Sequence, residues 1–379
     1  MREWTIQLLR DLVAIDSVNP SLVPGGAGEG EIAERVAMTL RQLGLDVEVT
    51  EVAPHRPNVV AVLEGRAPGR SLMWCGHLDT VGVAGMSAPF EPVERDGRLY
   101  GRGALDMKGG LAAMLGAARE LVRKGGVRCG RVILAAVVDE EYASLGAEAL
   151  VRTCRADAAV ILEPTDLRIG IAHKGFAWIE IVTKGIAAHG SRPQEGRDAI
   201  LRMGRVLQRL EALDRRLRAR PPHPRLGTAS LHTSLICGGR ELSTYPDECV
   251  LQMERRTLVG EPPDTALREV EEILADVRRE DAEFAGHARR LFERPPYEIS
   301  PDHELPRRLG EAVMRVGGSP DYVGLSFWTD AAILGQAGIP TVVFGPGGAG
   351  LHGLEEYVRV EDVLACVRIL SEVTTSYTT

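Results

Sequence analysis

The chain has 379 residues, longer than one ordinary core, and its length predicts about two domains. Lys and Arg number 45 against 53 Asp and Glu, a mildly acidic balance with no basic field for nucleic acid or an anionic membrane. Small soluble ligands are the default partners.

The opening stretch MREWTIQLLRDLVAID alternates charged and apolar residues at helical spacing. It predicts a helix over residues 3–16, neither a signal peptide nor a membrane span, and hence a cytoplasmic protein. A second helix is predicted over residues 29–43 and a third over 107–124. Apolar strand-like runs lie at SLMWC (71–75), VILAAVV (132–138), AAVIL (158–162) and IPTVVF (339–344), each followed by polar or glycine-rich residues. Strands alternating with helices predict an α/β fold with a mostly parallel, doubly wound sheet, whose ligands gather beyond the carboxyl ends of the strands.

From about residue 175 the pattern changes. FAWIEIVTKG alternates like a half-exposed strand, GRDAILRMGRVLQRLEALDRRL is an amphipathic helix, and CVLQMERRTLV alternates again. Residues 175–290 therefore read as an inserted α+β domain with an antiparallel sheet, between a first catalytic segment (1–174) and a second (291–379). The six cysteines form no C-x-x-C pair and read as reduced, packed thiols, so a metal would be held by His and carboxylate.

The acidic run in RVILAAVVDEEYAS poses the central chemical question, because Asp139, Glu140 and Glu141 follow a strand buried on both faces. Adjacent carboxylates at the rim of a core repel and lose hydration unless cations answer them. In GHLDTVG, His77 and Asp79 stand two apart, the spacing of an imidazole ligand with a carboxylate behind it, although H-x-D in a polar loop after a strand is equally common. Asp106 sits in the glycine-rich turn LYGRGALDMKGG, where a helix N-cap is the plain reading. That turn lacks the third glycine of a dinucleotide fingerprint and the G-K-[ST] of a phosphate loop. ILEPTD ends a second strand in Glu163, and FGPGGAGLHGLEEYV brings His352 and Glu356 on a glycine-rich loop. Together His77, Asp106, Glu141, Glu163 and His352 offer two nitrogens and three carboxylates, enough for two divalent ions about 3.5–4 Å apart if one carboxylate is shared.

In order along the chain, GHLDTV, GRGALDMKGG, DEEYASLGA, ILEPTD, KGIAAHGSRPQEGRDAI, ERRTLVGE and FGPGGAGLHGLEEYV resemble the dinuclear metallohydrolases that include acetylornithine deacetylase, succinyl-diaminopimelate desuccinylase, aminoacylase and glutamate carboxypeptidase. The resemblance implies that Asp106 bridges two metals, with His77 and Glu163 on one and Glu141 and His352 on the other. It implies Glu140 as general base, Asp79 as the orienter of His77, and a cis peptide after Asp106. It further implies that the insert is a lid or dimerisation domain, that His189 stabilises an oxyanion in the partner subunit's site, and that Arg256 and the backbone around Gly347 hold a substrate carboxylate.

Two positions depart from the family pattern. Ser243 stands where G-G-x-x-x-N-x-x-P has asparagine, which shortens or removes a polar substrate contact, and Glu254 replaces a common aspartate. Neither is an implied metal ligand. Glu163, where aminopeptidase-like relatives tend to carry aspartate, favours a deacylase or carboxypeptidase. The expected activity is removal of the acyl group from an N-acyl amino acid, with a carboxypeptidase or dipeptidase as the alternative enzyme and short peptides as its substrates. A metal-stabilised binding protein without catalysis is the alternative of another class. Zinc is the expected metal, with cobalt or manganese possible, since His and carboxylate select weakly among them. The likeness also implies a homodimer, with FAWIEIV and GRDAILRMGRVL at its interface.

Overall fold

A computed structural model describes all 379 residues. Contacts divide the chain into two units, one of Met1–Ile171, Ile299–Val323 and Thr329–Thr379, the other of Ala172–Glu298 and Gly324–Trp328. The second unit thus runs beyond residue 290, because the strand Ala285–Arg294 continues into the FERPPYEIS segment. It also recovers the short segment Gly324–Trp328, which no composition shift announces.

In the first unit the long strand Arg56–His77 wraps around the strand Val127–Val137. In its first arm Val59 lies opposite Ala136 and Glu64 opposite Arg131, so residue numbers run in opposite senses; in its second arm Ser71 lies opposite Arg131 and His77 opposite Val137, so they run together. The second arm pairs in parallel with Ala158–Ile161, which pairs in parallel with Thr341–Val343. Antiparallel neighbours flank this centre, Asp46–Ala53 on the first arm and Ile169–His173 beside Thr341–Val343. The sheet is therefore mixed, with the expected parallel strands at its middle. These carry β-branched and small apolar side chains that are almost wholly buried, the signature of a sheet covered on both faces.

The parallel strands all end at the same rim. His77 is the last residue of the wrapped strand, Asp139–Glu141 follow Val127–Val137, Glu163 follows Ala158–Ile161, and Gly345–Gly348 follow Thr341–Val343. The expected helix at 107–124 begins at Gly109, after an irregular turn Ala104–Lys108 containing a cis Asp106–Met107 bond. Its first turn lies so near the sheet that a Cβ on Gly110 would collide with the Leu162 carbonyl oxygen.

In the second unit, a four-stranded antiparallel sheet has the order Ala285–Arg294, Gly175–Lys184, Glu248–Thr257, Ser230–Gly238. Helices Ala199–Ala219 and Thr265–Glu280 cover one face, burying Ile179, Ile181, Leu251 and Met253 against Met203, Val206, Val270 and Leu274. FAWIEIV is thus a central strand bonded on both sides, so it offers no edge to a second copy. Of the two edge strands, Ala285–Arg294 and Ser230–Gly238, the second exposes Leu235 and Ile236. All six cysteines are free; Cys75, Cys249 and Cys366 are buried, whereas Cys237 is exposed on this edge and not packed as expected. No helix is long and apolar enough to cross a membrane.

Two glycine substitutions test this packing with opposite signs. Gly110→Ala must push the helix off the sheet and should cost about 1–3 kcal/mol. Gly204→Ala, in the middle of Ala199–Ala219 with open space around it, should gain up to about 1 kcal/mol from helix propensity. Denaturant midpoints measure both, and equal effects would contradict the packing described.

Candidate active site

Asp106 lies at the centre of the rim. Its Oδ1 is 3.1 Å from His77 Nε2 and its Oδ2 is 3.4 Å from His352 Nε2, so the two oxygens of one carboxylate face two imidazoles. Glu163 Oε1 approaches His77 Nε2 at 3.4 Å, and Glu141 Oε2 approaches His352 Nε2 at 3.3 Å. Two groups result, His77–Asp106–Glu163 and Asp106–Glu141–His352, and within each the possible ligand atoms lie within 4.8 Å of one another.

Glu356 holds the Asp106 turn in place. Its Oε1 accepts from the Leu105 and Asp106 amides at 2.9 and 3.1 Å, and its Oε2 accepts from Gly103 N at 3.1 Å and Arg102 Nη1 at 2.6 Å. One buried carboxylate thus satisfies three amides that the irregular turn would otherwise leave unpaired. Arg102 also donates to the Gly353 carbonyl at 3.0 Å, which ties the His352 loop to the same turn.

Asp79 acts differently from the simple expectation. His77 Nδ1 lies 2.9 Å from the Asp79 carbonyl oxygen and 3.6 Å from its carboxylate, so the main chain is the nearer partner of the ring. The carboxylate instead accepts from the amides of Glu140 and Glu141, both at 3.1 Å, and from Asn19 Nδ2 at 2.8 Å. Asp79 therefore sets the course of the turn that carries both glutamates.

The three adjacent acids separate into different roles. Asp139, wholly buried and at positive φ, is answered by Arg56 Nη2 at 2.8 Å and by Asn19 Nδ2 at 3.0 Å. Arg56 also donates through Nε to Glu29 Oε2 at 2.7 Å, completing a buried cluster of two carboxylates and one guanidinium. Glu141 keeps its Oε1 buried without a hydrogen-bond partner, and burial with the neighbouring Glu163 charge holds Glu140 well above its ordinary value. Asn19, Glu29, Arg56 and Arg102 were not singled out from the sequence. Each is an ordinary polar residue far along the chain, and only the acidic run itself signalled that counter-charges must exist.

A divalent cation suits this arrangement. Three carboxylates crowd two imidazoles, and a buried carboxylate oxygen has no donor, which is costly unless a cation takes it. The donors are nitrogen and oxygen without thiolate, a set open to zinc, cobalt or manganese.

Without metal the carboxylates force protons onto the site. Burial opposes charge on His77, yet Glu163, Asp106 and Asp79 outweigh it and hold the imidazole well above its ordinary value. Hydrogen bonds to Asp106 and Glu141 raise His352 to about 10. Burial and the Asp106 charge push Glu141 up to about 7, and burial, with Asp106 and Glu141 adding repulsion, raises Glu163. Asp106 is held well below the usual range, because its bonds to His352 and His77 overcome burial.

The remaining expected site residues are Gly347 in the first unit and His189, Ser243 and Arg256 in the second. Gly347 donates its amide to Asp362 Oδ2 at 3.1 Å and accepts from Arg359 N at 2.8 Å, so both of its backbone groups are already engaged. In the second unit, His189 and Ser243 are exposed on neighbouring segments joined by Gly190 N to the Ser243 carbonyl at 2.7 Å. His189 Nδ1 accepts from Ser191 N at 3.2 Å, which leaves the ring proton on Nε2. Arg256 donates through Nε to Glu254 at 2.7 Å.

Two measurements follow from this electrostatic layout. Since metal requires neutral imidazole and ionised carboxylate, groups whose pKa is raised must lose protons on binding. Zinc added to metal-free protein at pH 7 in weak buffer should release protons, with apparent affinity rising as pH rises; an indicator dye showing no release would contradict the layout. Arg56→Met leaves Glu29 and Asp139 buried without their cation and should cost about 3–5 kcal/mol in chemical denaturation. A loss below about 1 kcal/mol would count against the cluster.

Residues 73–376 match the model of Peptidase family M20/M25/M40. Over 377 residues the chain is 32% identical to an acetylornithine deacetylase of Myxococcus xanthus, covering 96% of this chain and 94% of that protein. Among solved structures, aminopeptidase PepT of Bacillus cereus superposes with a TM-score of 0.81 at 21% identity, over 100% of this chain and 99% of the other. The YXEP protein of Bacillus subtilis, described as a dinuclear metal-binding peptidase of the M20 family, superposes with a TM-score of 0.76 at 18% identity, over 99% and 98%. The protein is an amide-bond hydrolase that belongs to Peptidase family M20/M25/M40.

Proposed function

We propose that the protein removes the acyl group from an N-acyl amino acid by metal-dependent hydrolysis of a linear amide. The observation that carries this reading is the meeting of two potential ligand groups on Asp106, with Glu140 near enough to Glu163 and His77 to feel their charges. The full-length likeness to a deacetylase favours acyl removal over peptide cleavage.

His77, Asp106 and Glu163 would hold one ion and Asp106, Glu141 and His352 the other, zinc first, with cobalt or manganese as alternatives. When bound, such ions polarise the acyl oxygen and lower the pKa of a water. Glu140 takes the proton of the attacking water on a carboxylate oxygen and returns it to the leaving amine. Asp79, through the amides of Glu140 and Glu141, keeps the base and its neighbouring ligand in register. His189, with its proton on Nε2, donates to the developing oxyanion, and Arg256 takes the substrate carboxylate. Ser243, beside His189, offers a shorter polar contact than the asparagine of the family pattern. The amides near Gly347 contribute to substrate binding through the shape of their loop, since Gly347 N is held by Asp362.

Two copies of the chain would pair along the edge strand Ser230–Gly238, where Leu235, Ile236 and the nearby helix residues Ile200 and Leu201 are exposed. Six free cysteines accord with work in the reducing cytoplasm.

Glu140→Gln keeps the shape of the side chain but removes its basicity. The variant should bind two metal ions per chain as the wild type does, while turnover of N-acetyl amino acids falls about 10²–10⁴-fold. Retained turnover would remove Glu140 from the mechanism. Cleavage of dipeptides in preference to N-acyl amino acids would move the protein to the dipeptidase alternative.

A further inference from the structure

The sheet of the second unit has two unlike faces. Ala177, Ile179, Ile181, Leu251 and Met253 point to the helices and form the core. On the other face the alternate residues are mainly polar, with Glu180 bonded to Gln252 and Arg289. At one end of that face the character changes. Phe176, opposite both Arg256 and Arg294 in register, packs against Trp178, Phe292 and Trp328, with ring centroids 5.3, 5.9 and 6.2 Å away. Trp178 and Phe292 pack together at 5.6 Å and both stay partly exposed. Aromatic residues make up only 4% of the chain, so this gathering is not a by-product of composition.

The same end of the face is cationic. Arg256 lies 5.4 Å from the Phe176 ring centre, and Arg294 lies 4.8 Å from that of Phe292. Lys174, whose Nζ donates to the Thr228 carbonyl at 2.7 Å, feels the charge of Arg256. The carboxylate that answers Arg256 is Glu254, and it does so through Nε alone at 2.7 Å. The other Glu254 oxygen accepts from Trp178 Nε1 at 2.9 Å. Glu254 thereby links the aromatic platform to the guanidinium and leaves both terminal nitrogens of Arg256 free for a ligand. A planar, doubly donating fork of this kind matches a carboxylate.

We infer that this face reads the substrate's carboxylate and an aromatic side chain together, so that N-acyl derivatives of aromatic amino acids are the preferred substrates. Arg256 pairs with the carboxylate through its terminal nitrogens, and Trp178 with Phe292 stacks the ring. Trp178 and Arg256 are diagonal neighbours on adjacent strands, about 7–8 Å apart at the backbone, a span that a phenylalanine-like amino acid covers from carboxylate to ring. Glu254 is the positioning residue for both. The inference rests on the deacylase reading for the reaction, but not for the binding.

The test compares N-acetyl-L-phenylalanine with N-acetyl-L-alanine in metal-loaded wild type, Trp178→Ala and Phe292→Leu. The wild type should favour the phenylalanine derivative in kcat/KM by about tenfold or more, and each variant should narrow that preference by raising the KM of the phenylalanine derivative several-fold more than that of the alanine derivative. Wild-type preference for alanine, or equal losses on both substrates, would overturn the inference. Binding of the same two compounds to metal-loaded Glu140→Gln, with and without Trp178→Ala, is followed by calorimetry. If no N-acyl amino acid is hydrolysed, the reading of the reaction fails, and calorimetry still decides the platform: selective, Trp178-dependent binding of the aromatic compound supports it, and equal binding of both compounds rejects it.

Discussion

The Asp106 carboxylate is the constraint on which the first unit's chemistry depends. It faces His77 with one oxygen and His352 with the other, which requires the irregular turn before it to be held rigidly. Glu356 supplies that rigidity by accepting from Gly103, Leu105 and Asp106 amides, and Arg102 extends the hold to the loop bearing His352. The glycine-rich approach to Asp106 is therefore neither a nucleotide loop nor a simple helix cap. It is a turn whose free amides are gathered by one buried carboxylate.

The acidic turn after Val127–Val137 is supported in layers. Arg56 pairs with both Asp139 and Glu29 deep in the unit, and Asn19 joins Asp139 to Asp79. Asp79 then takes the amides of Glu140 and Glu141, so the turn delivers both side chains to the rim, where Glu141 meets His352. A buried guanidinium stabilises the turn, while three carboxylates around two imidazoles make the rim a place for dications. The stability of one part and the reactivity of the other come from the same run of three acids.

Much of the central sheet was legible because a buried parallel strand is an unbroken apolar run, and SLMWC, VILAAVV, AAVIL and IPTVVF are such runs. The residues just beyond them were legible as candidate ligands because His and carboxylate at the rim of a core need a reason to be there. The first arm of the wrapped strand was not, since its residues 56–65 mix polar and apolar side chains and lie opposite a strand seventy residues away. Arg56, Asn19 and Glu29 escaped for the same reason, as a counter-charge is defined by contact in space. FAWIEIV was read correctly as a strand, but alternation along one strand says nothing of whether both its edges are bonded. Likewise a G-P-G-G loop suggests free amides, while Asp362, fifteen residues later, already holds that of Gly347.

The sharing of Asp106 is tested most directly by counting metal ions in variant chains, by equilibrium dialysis against zinc followed by elemental analysis. The account predicts two ions per chain in the wild type, one in His352→Ala, and loss of both tight sites in Asp106→Ala. Two tightly held ions in Asp106→Ala would contradict it, because the two groups would then be independent and the carboxylate between them a bystander.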